Sequence, residues 1–182
     1  MEMISDREHI LLAVIDRLRI IRATDAAWLA GYTDYTYCRK CLRKLCDMGL
    51  LQICRDSAGS NCYYLSGRGL AVLGKQTSHT YEVSATTHHA LVVGRVCAWL
   101  RRTEGASPGE LLTDSVLRSK GDKQRHRPDI VFRGHAYEIE LNHKPLSLLE
   151  KNIRDNNSYQ QQVWVTPDNR LSIARNLNNC AQ

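Results

Sequence analysis

The sequence holds no apolar run long enough to cross a bilayer, which takes roughly 20 residues. The run from Ile10 to Ile15 breaks at Asp16, Arg17 and Arg19. The opening MEMISDREHI carries no basic segment ahead of an apolar one, so a secretory signal is not expected. The expectation is a soluble, cytoplasmic protein with no membrane partner. No internal repeat or low-complexity segment is present. A disulfide framework is also missing. The seven cysteines (Cys38, Cys41, Cys46, Cys54, Cys62, Cys97 and Cys180) are odd in number. Without a secretion signal, that argues for reduced thiols. Cys38 and Cys41 form a C-x-x-C, but they sit within a helical pattern and the later spacings match no standard zinc module. No zinc or iron–sulfur site is expected.

Hydrophobic residues at 43% and charged residues at 24% give a globular rather than a disordered balance. The net charge of +6 favours a polyanionic partner, because Lys and Arg that neutralise phosphates release counterions.

Residues 8–22 show apolar side chains at helical spacing: Ile10, Leu11, Val14, Ile15, Leu18 and Ile21. Thr24 suits the N-cap of a short second helix ending near Gly31. Thr33 or Asp34 caps a third helix reaching about Met48, with a stripe of Tyr37 or Cys38, Cys41, Leu42, Leu45 and Met48, and Gly49 stops it. Two strand-like runs follow, Leu50 to Arg55 and Cys62 to Leu65, around the turn-rich Asp56–Asn61. GRGLAVLGK then reads as a further short helix. Three helices followed by a hairpin is the order of a winged helix-turn-helix. The stretch MGLLQICRDSAGSNCYYLSGRGLAVL resembles the wing of that fold, down to Tyr64, Leu65, Ser66 and Gly69. Between residues 34 and 75 there are seven Lys/Arg and three Asp/Glu, so the local charge is basic. The third helix is the expected recognition helix. Arg39, Lys40, Arg43 and Lys44 lie off its core stripe, and Tyr35 and Thr36 lie near its N-terminus, where base contacts usually occur. Arg55, near the wing tip, is expected to meet backbone phosphate. The partner is then double-stranded DNA; a solvated or protein-binding helix face is the alternative.

The polar Gln76–Thr80 reads as a junction, giving domains of 1–76 and 77–182. Thr87 to Arg102 reads as a helix with Leu91, Val92, Val96, Trp99 and Leu100 on its apolar face. Trp99 and Trp164 are expected in the core. GDKQRHR (121–127) is basic and without aliphatic residues. In RHRPDIVFRGHAYEIELNHK, Ile130–Phe132 reads as a strand, Arg133-Gly134-His135 as a tight turn and Ala136–Leu141 as the returning strand. Period-two alternation sets Tyr137, Ile139 and Leu141 on one face, Glu138 and Glu140 on the other. Paired as a hairpin, the strands would let Asp129, Glu138 and Glu140 converge, with His143 and Lys144 just beyond. Converging carboxylates suit hard cations such as Mg2+ or Mn2+, and a nearby lysine suits electrostatic help in phosphodiester chemistry. His88, His89, His126 and His143 are secondary candidates. The competing reading is an ordinary half-buried strand with solvated glutamates.

This spacing resembles the PD-(D/E)xK nuclease superfamily. The resemblance makes Asp129 the motif aspartate and Glu138 the first motif carboxylate. It puts Glu140 in the place of the usual lysine, with Lys144 as a substitute from a later position. If Glu140 is instead the motif glutamate, Asn142 takes the lysine place. The wider order is a winged helix, a helix beginning THHAL, HRPDIVF, EIELNHK, a helix from Leu148 to Asn156, and QQVWVTP. It is similar to the replication-relaxation proteins related to MOBC-type relaxases of plasmids. That resemblance implies an N-terminal winged helix followed by a small restriction-endonuclease-like α/β domain, an α+β or α/β chain overall. It implies DNA processing in plasmid mobilisation or replication, with relaxosome or replication proteins as partners and no tyrosine nucleophile. Asp129, Glu138 and Glu140 would be metal ligands, and Lys144 would join them as catalytic. Pro145 stands where the family often has serine.

Two functions follow as expectations. One is a metal-dependent endonuclease or relaxase-like nicking protein. The other is a non-catalytic DNA-binding accessory or regulator that keeps a degenerate nuclease-like fold as a scaffold or homodimerisation unit. Glu140 in the lysine place favours the second; Asp129, Glu138 and Lys144 together favour the first.

Overall fold

The computed structural model describes residues 3–76, 81–121, 126–142 and 144–167. The expected junction at 77–80, most of the basic run (122–125), His143 and Cys180 lie outside the described residues. The protein is mixed α+β, with seven helices and two small sheets among the described residues. None of those helices is long and apolar enough to cross a membrane. The chain divides into two compact units, Met1–Pro108 and Gly109–Gln182.

The first unit begins with α1, Asp6–Leu18. Ser5 and Glu8 form a reciprocal capping box: the Glu8 N–H donates to Ser5 Oγ (3.3 Å), and the Ser5 N–H to Glu8 Oε2 (2.8 Å). Such caps are worth about 1 kcal/mol. Leu11, Leu12, Val14, Ile15 and Leu18 are buried, whereas Ile10 is 48% exposed, against the expected stripe. The helix is also shorter than residues 8–22. Arg19 takes φ +69° and turns the chain into β1, Ile20–Arg22. Ile20 and Ile21 are β-branched and fully buried. A buried three-residue strand leaves no period of its own, so in the sequence it continues the helical pattern.

Next come α2 (Ala23–Leu29), α3 (Tyr35–Asp47), β2 (Leu51–Arg55), β3 (Asn61–Leu65) and α4 (Gly67–Val72). Arg22, not Thr24, is the N-cap residue of α2; Thr24 lies in its first turn. Asp34 caps α3 by accepting from the Thr36 N–H (2.7 Å). Cys38, Cys41, Leu42 and Leu45 bury the inner face of α3, while Tyr37 stays exposed. The three strands form an antiparallel sheet in the order β1-β3-β2, with Ile20 opposite Tyr64 and Leu51 opposite Leu65. Ser66 caps α4 by accepting from the Gly69 N–H (3.1 Å) and donates to the Gly49 carbonyl (2.7 Å). A Cβ on Gly69 would stand 2.2 Å from the Leu50 carbonyl oxygen. The Tyr64-Leu65-Ser66-x-x-Gly69 phrase thus locks the last strand and α4 onto the end of α3.

The unit closes with α5, Thr87–Glu104, which packs on α2 and β1. A Cβ on Gly94 would lie within 4 Å of Leu18, Ile20 and Ile21, and Arg95 pairs with Asp25 at 2.9 Å. The first compact unit thus runs to Pro108, past the boundary expected at 76/77, because this helix packs on α2 and β1. Trp99 is 50% exposed, not core; Cys97 and Leu100 are buried on α5 instead.

The second unit contains β4 (Leu112–Thr113), α6 (Asp114–Ser119), β5 (Ile130–Phe132), β6 (His135–Ile139), α7 (Leu146–Asp155) and β7 (Gln161–Val165). The sheet order is β4-β5-β6-β7; the first three strands are antiparallel, and β7 runs parallel to β6. A parallel neighbour requires a crossover, and α7 supplies it. The β5–β6 turn is two residues, Arg133 (φ +49°) and Gly134 (φ +78°), the positive-φ pair that a tight hairpin favours. His135 opens β6 rather than belonging to the turn. Residues 136–140 are all buried, so the strand is covered on both faces. Trp164 packs partly buried against Leu149.

Candidate functional site

Chemistry-bearing side chains gather in two places, one in each unit. In the first, α3 presents Tyr35, Thr36, Arg39, Lys40 and Arg43 to solvent. The Arg39 guanidinium lies over the Tyr35 ring, 5.9 Å from its centroid. Between α3 and the strands runs a groove of about 350 Å³, lined by Thr36, Arg39, Lys40, Arg43, Ile53 and Tyr63 among others. Lys44 departs from its expected role, since its ammonium pairs with Glu8 Oε1 at 3.0 Å. Helical spacing carries it round to the side facing α1. Burial raises the Glu8 carboxyl, but the capping bonds from Ser5 and that ion pair together outweigh it and hold the group below its ordinary range.

Arg55 ends β2, exposed. Beyond it Asp56 shapes the turn, accepting from the N–H groups of Ala58 (3.0 Å) and Ser60 (2.8 Å) through Oδ1. Its Oδ2 meets Arg22 Nε at 2.7 Å, and this bond first of all lowers the Asp56 carboxyl. Arg22, Asn61 and Tyr63 also border this surface and were missed from sequence. They come from strands whose contribution is set by register, which no local pattern discloses. Cys38 and Cys41 of α3 are buried, whereas Cys46 is partly exposed on the groove. Burial pushes Cys38 up to about 12, and Cys62 on β3 is raised to about 11 for the same reason.

The second place is built on β5 and β6. Glu138 and Glu140 retain only 3% and 2% of their surface, so they are not the solvated glutamates of a half-buried strand. Glu138 Oε1 lies 2.7 Å from His126 Nε2 and accepts from Asn156 Nδ2 at 2.6 Å. The bond to Glu138 raises the His126 pKa, more than burial lowers it. Glu140 Oε2 forms an ion pair with Lys144 Nζ at 2.6 Å. Glu140 Oε1 accepts from the Asn142 N–H at 3.3 Å. Asp129 Oδ2 accepts from the Ile139 N–H at 2.8 Å, so the aspartate clamps the strand between the two glutamates. Asp129, Glu138, Glu140 and Lys144 are thus brought into one neighbourhood, and His126 joins them.

Asn156, fully buried after α7, had no signal in the sequence beyond its place at a helix end. His88 lies in the first turn of α5, in the first unit. The oxygen donors suit a hard cation chemically, but each carboxylate already has a protein partner. Among the described residues, no three His, Cys, Asp or Glu side chains are grouped so as to hold a metal ion. As it stands, the arrangement does not fit a preformed three-carboxylate centre.

No protein family model, curated protein or solved structure matches this chain.

Proposed function

We propose that the chain binds double-stranded DNA through its first unit, a winged helix-turn-helix with α3 as the recognition helix. The observation that carries this reading is the row of exposed Arg39, Lys40 and Arg43 on α3, bordering a groove with the β2–β3 hairpin. The element order α1-β1-α2-α3-β2-β3, with β1 completing the sheet, supports it further. In this reading Arg39 and Arg43 reach base edges or phosphates, Tyr35 and Thr36 meet the groove edge, and Arg55 touches flanking backbone. The second unit serves as a nuclease-like scaffold, and the protein is an accessory or regulator of DNA processing in plasmid mobilisation or replication. The test is an electrophoretic shift titration with duplex DNA at several salt concentrations. A Kd that falls steeply with lowered salt is expected, and affinity indifferent to salt would remove the reading.

A second reading, a metal-dependent endonuclease or relaxase-like nicking protein, is favoured by one observation. Two neighbouring carboxylates are held almost wholly out of water, at a cost that a mere scaffold does not require. Asp129, Glu138 and Glu140 would then be the oxygen donors for Mg2+ or Mn2+. His126, Asn156 and Lys144 would first have to yield their present bonds. Nicking of supercoiled DNA in Mg2+ or Mn2+, abolished by Glu138→Gln and by Asp129→Asn while duplex binding persists, would establish this reading over the first.

A further inference from the structure

The groove beside α3 does not end at α3. It shares Arg39, Asn61 and Tyr63 with a second depression of about 610 Å³ that adds Arg22 and Arg95. That depression shares Thr24 and Tyr35 with a third, of about 700 Å³, which ends at Trp28, Arg101 and Arg102. All three belong to the first unit and form one continuous track. Among the described lining residues Asp56 is the one acidic side chain, and Arg22 neutralises it.

The far end of the track is built with care. Arg101 Nε donates to the Trp28 carbonyl (2.8 Å) and its Nη1 to the Ala106 carbonyl (3.0 Å), tying α2 to the end of α5. A basic residue in the last turn of a helix has an ordinary explanation, and Arg101 satisfies it. Arg102 does something else. It is exposed, and its guanidinium lies over the Trp28 ring, 4.7 Å from the centroid. Trp28 itself stays 49% exposed, so the indole shelf holds a cation at the surface instead of filling the core. Arg95, with 58% of its side chain exposed, stands between the two ends and is anchored by the buried Asp25.

We propose that this track is a single DNA-contact surface, and that Arg102, held on the Trp28 ring, grips the backbone phosphates of duplex flanking the segment held by α3. The occupant follows from charge and continuity: a line of guanidinium groups spaced with Tyr35 and Trp28, running unbroken from the α3 groove, suits an extended polyanion. The inference rests on the DNA-binding reading of the first unit and lengthens its footprint.

The test uses the full chain and random-sequence duplexes of roughly one and roughly two helical turns, about 10 and about 20 base pairs. Wild-type protein should bind the longer duplex more tightly and with the steeper salt dependence. Arg102→Ala should weaken binding to the longer duplex about fivefold, as expected for one exposed charge contact, and lower its salt slope by about 1. Arg102→Glu should weaken it more, and Arg102→Lys should restore most of the affinity. The shorter duplex should bind all four proteins alike. If Arg102→Glu binds both duplexes as the wild type does while Arg39→Ala is impaired, the extended track is wrong and the α3 reading stands. If the wild type binds neither duplex, both fall together.

Discussion

The two units present their chemistry-bearing charges differently. In the first, Arg39, Lys40 and Arg43 of α3 stand in water, while the two buried carboxylates, Glu8 and Asp25, are paired with Lys44 and Arg95 away from that face. In the second, the chemistry-bearing carboxylates are inside and the cations are drawn in to meet them. An exposed arginine is held at little cost and is free for a phosphate. A buried glutamate is tolerable only when its lone pairs are filled, so its partners become part of the fold. The comparison separates a surface that can change without unfolding the protein from a cluster whose members stand or fall together.

The largest effect should therefore come from the buried cluster. Glu138→Ala leaves His126 and Asn156 facing an empty site and should destabilise the second unit by about 3 kcal/mol, read from urea unfolding followed at Trp164. Glu138→Gln should cost less. A neutral result for both would mean that the cluster is solvated, and the contrast between the units would collapse.

Next in size is a change in the first unit that leaves its charges alone. Gly69→Ala places a methyl against the Leu50 carbonyl and Leu65, and should lower stability by about 2 kcal/mol through overpacking. Thermal unfolding of the variant checks this. An unchanged midpoint would show that the junction between β3 and α4 is looser than its contacts indicate.

Replacing both Arg39 and Arg43 with Ala should leave the unfolding midpoint within error. It should reduce duplex affinity about tenfold and the salt slope by about 2. Loss of stability in place of loss of binding would reverse the assignment of the two surfaces.

The smallest effect concerns pH. The His126 pKa is raised in the folded state, so its protonated form is the one that folding favours. The resulting stabilisation is complete below the unfolded value near 6.5 and fades as pH rises through the higher folded value. Urea midpoints of the second unit should thus decline modestly above neutrality, and His126→Gln should flatten that decline. A midpoint that rises instead would mean that Glu138 is met by a neutral imidazole.

Several features were legible in the sequence because they depend on neighbours in the chain. Asp34 caps α3 through the N–H two residues on, and Gly49 leaves the helix at φ +69°. Arg133-Gly134 bends the β5–β6 hairpin, and Asp129, Glu138 and Glu140 were marked by spacing alone. Their burial was not legible. Period-two alternation puts Glu138 and Glu140 on one face, but distant partners, His126 and Asn156 at Glu138, are what meet that face in place of water.

The chain by itself determined its caps, its tight turns, the exposed basic edge of α3 and the acidic residue types on β6. These are torsional and hydrogen-bonding preferences that act over a few residues. Only the tertiary structure decided that Ile20–Arg22 is a strand, since its partner β3 lies some forty residues away in sequence. It also assigned α5 to the first unit, turned Lys44 toward Glu8 and placed Asn156 beside Glu138. Each of these depends on which surfaces exclude water together. That free energy belongs to pairs of distant segments, and no window of the sequence contains both members.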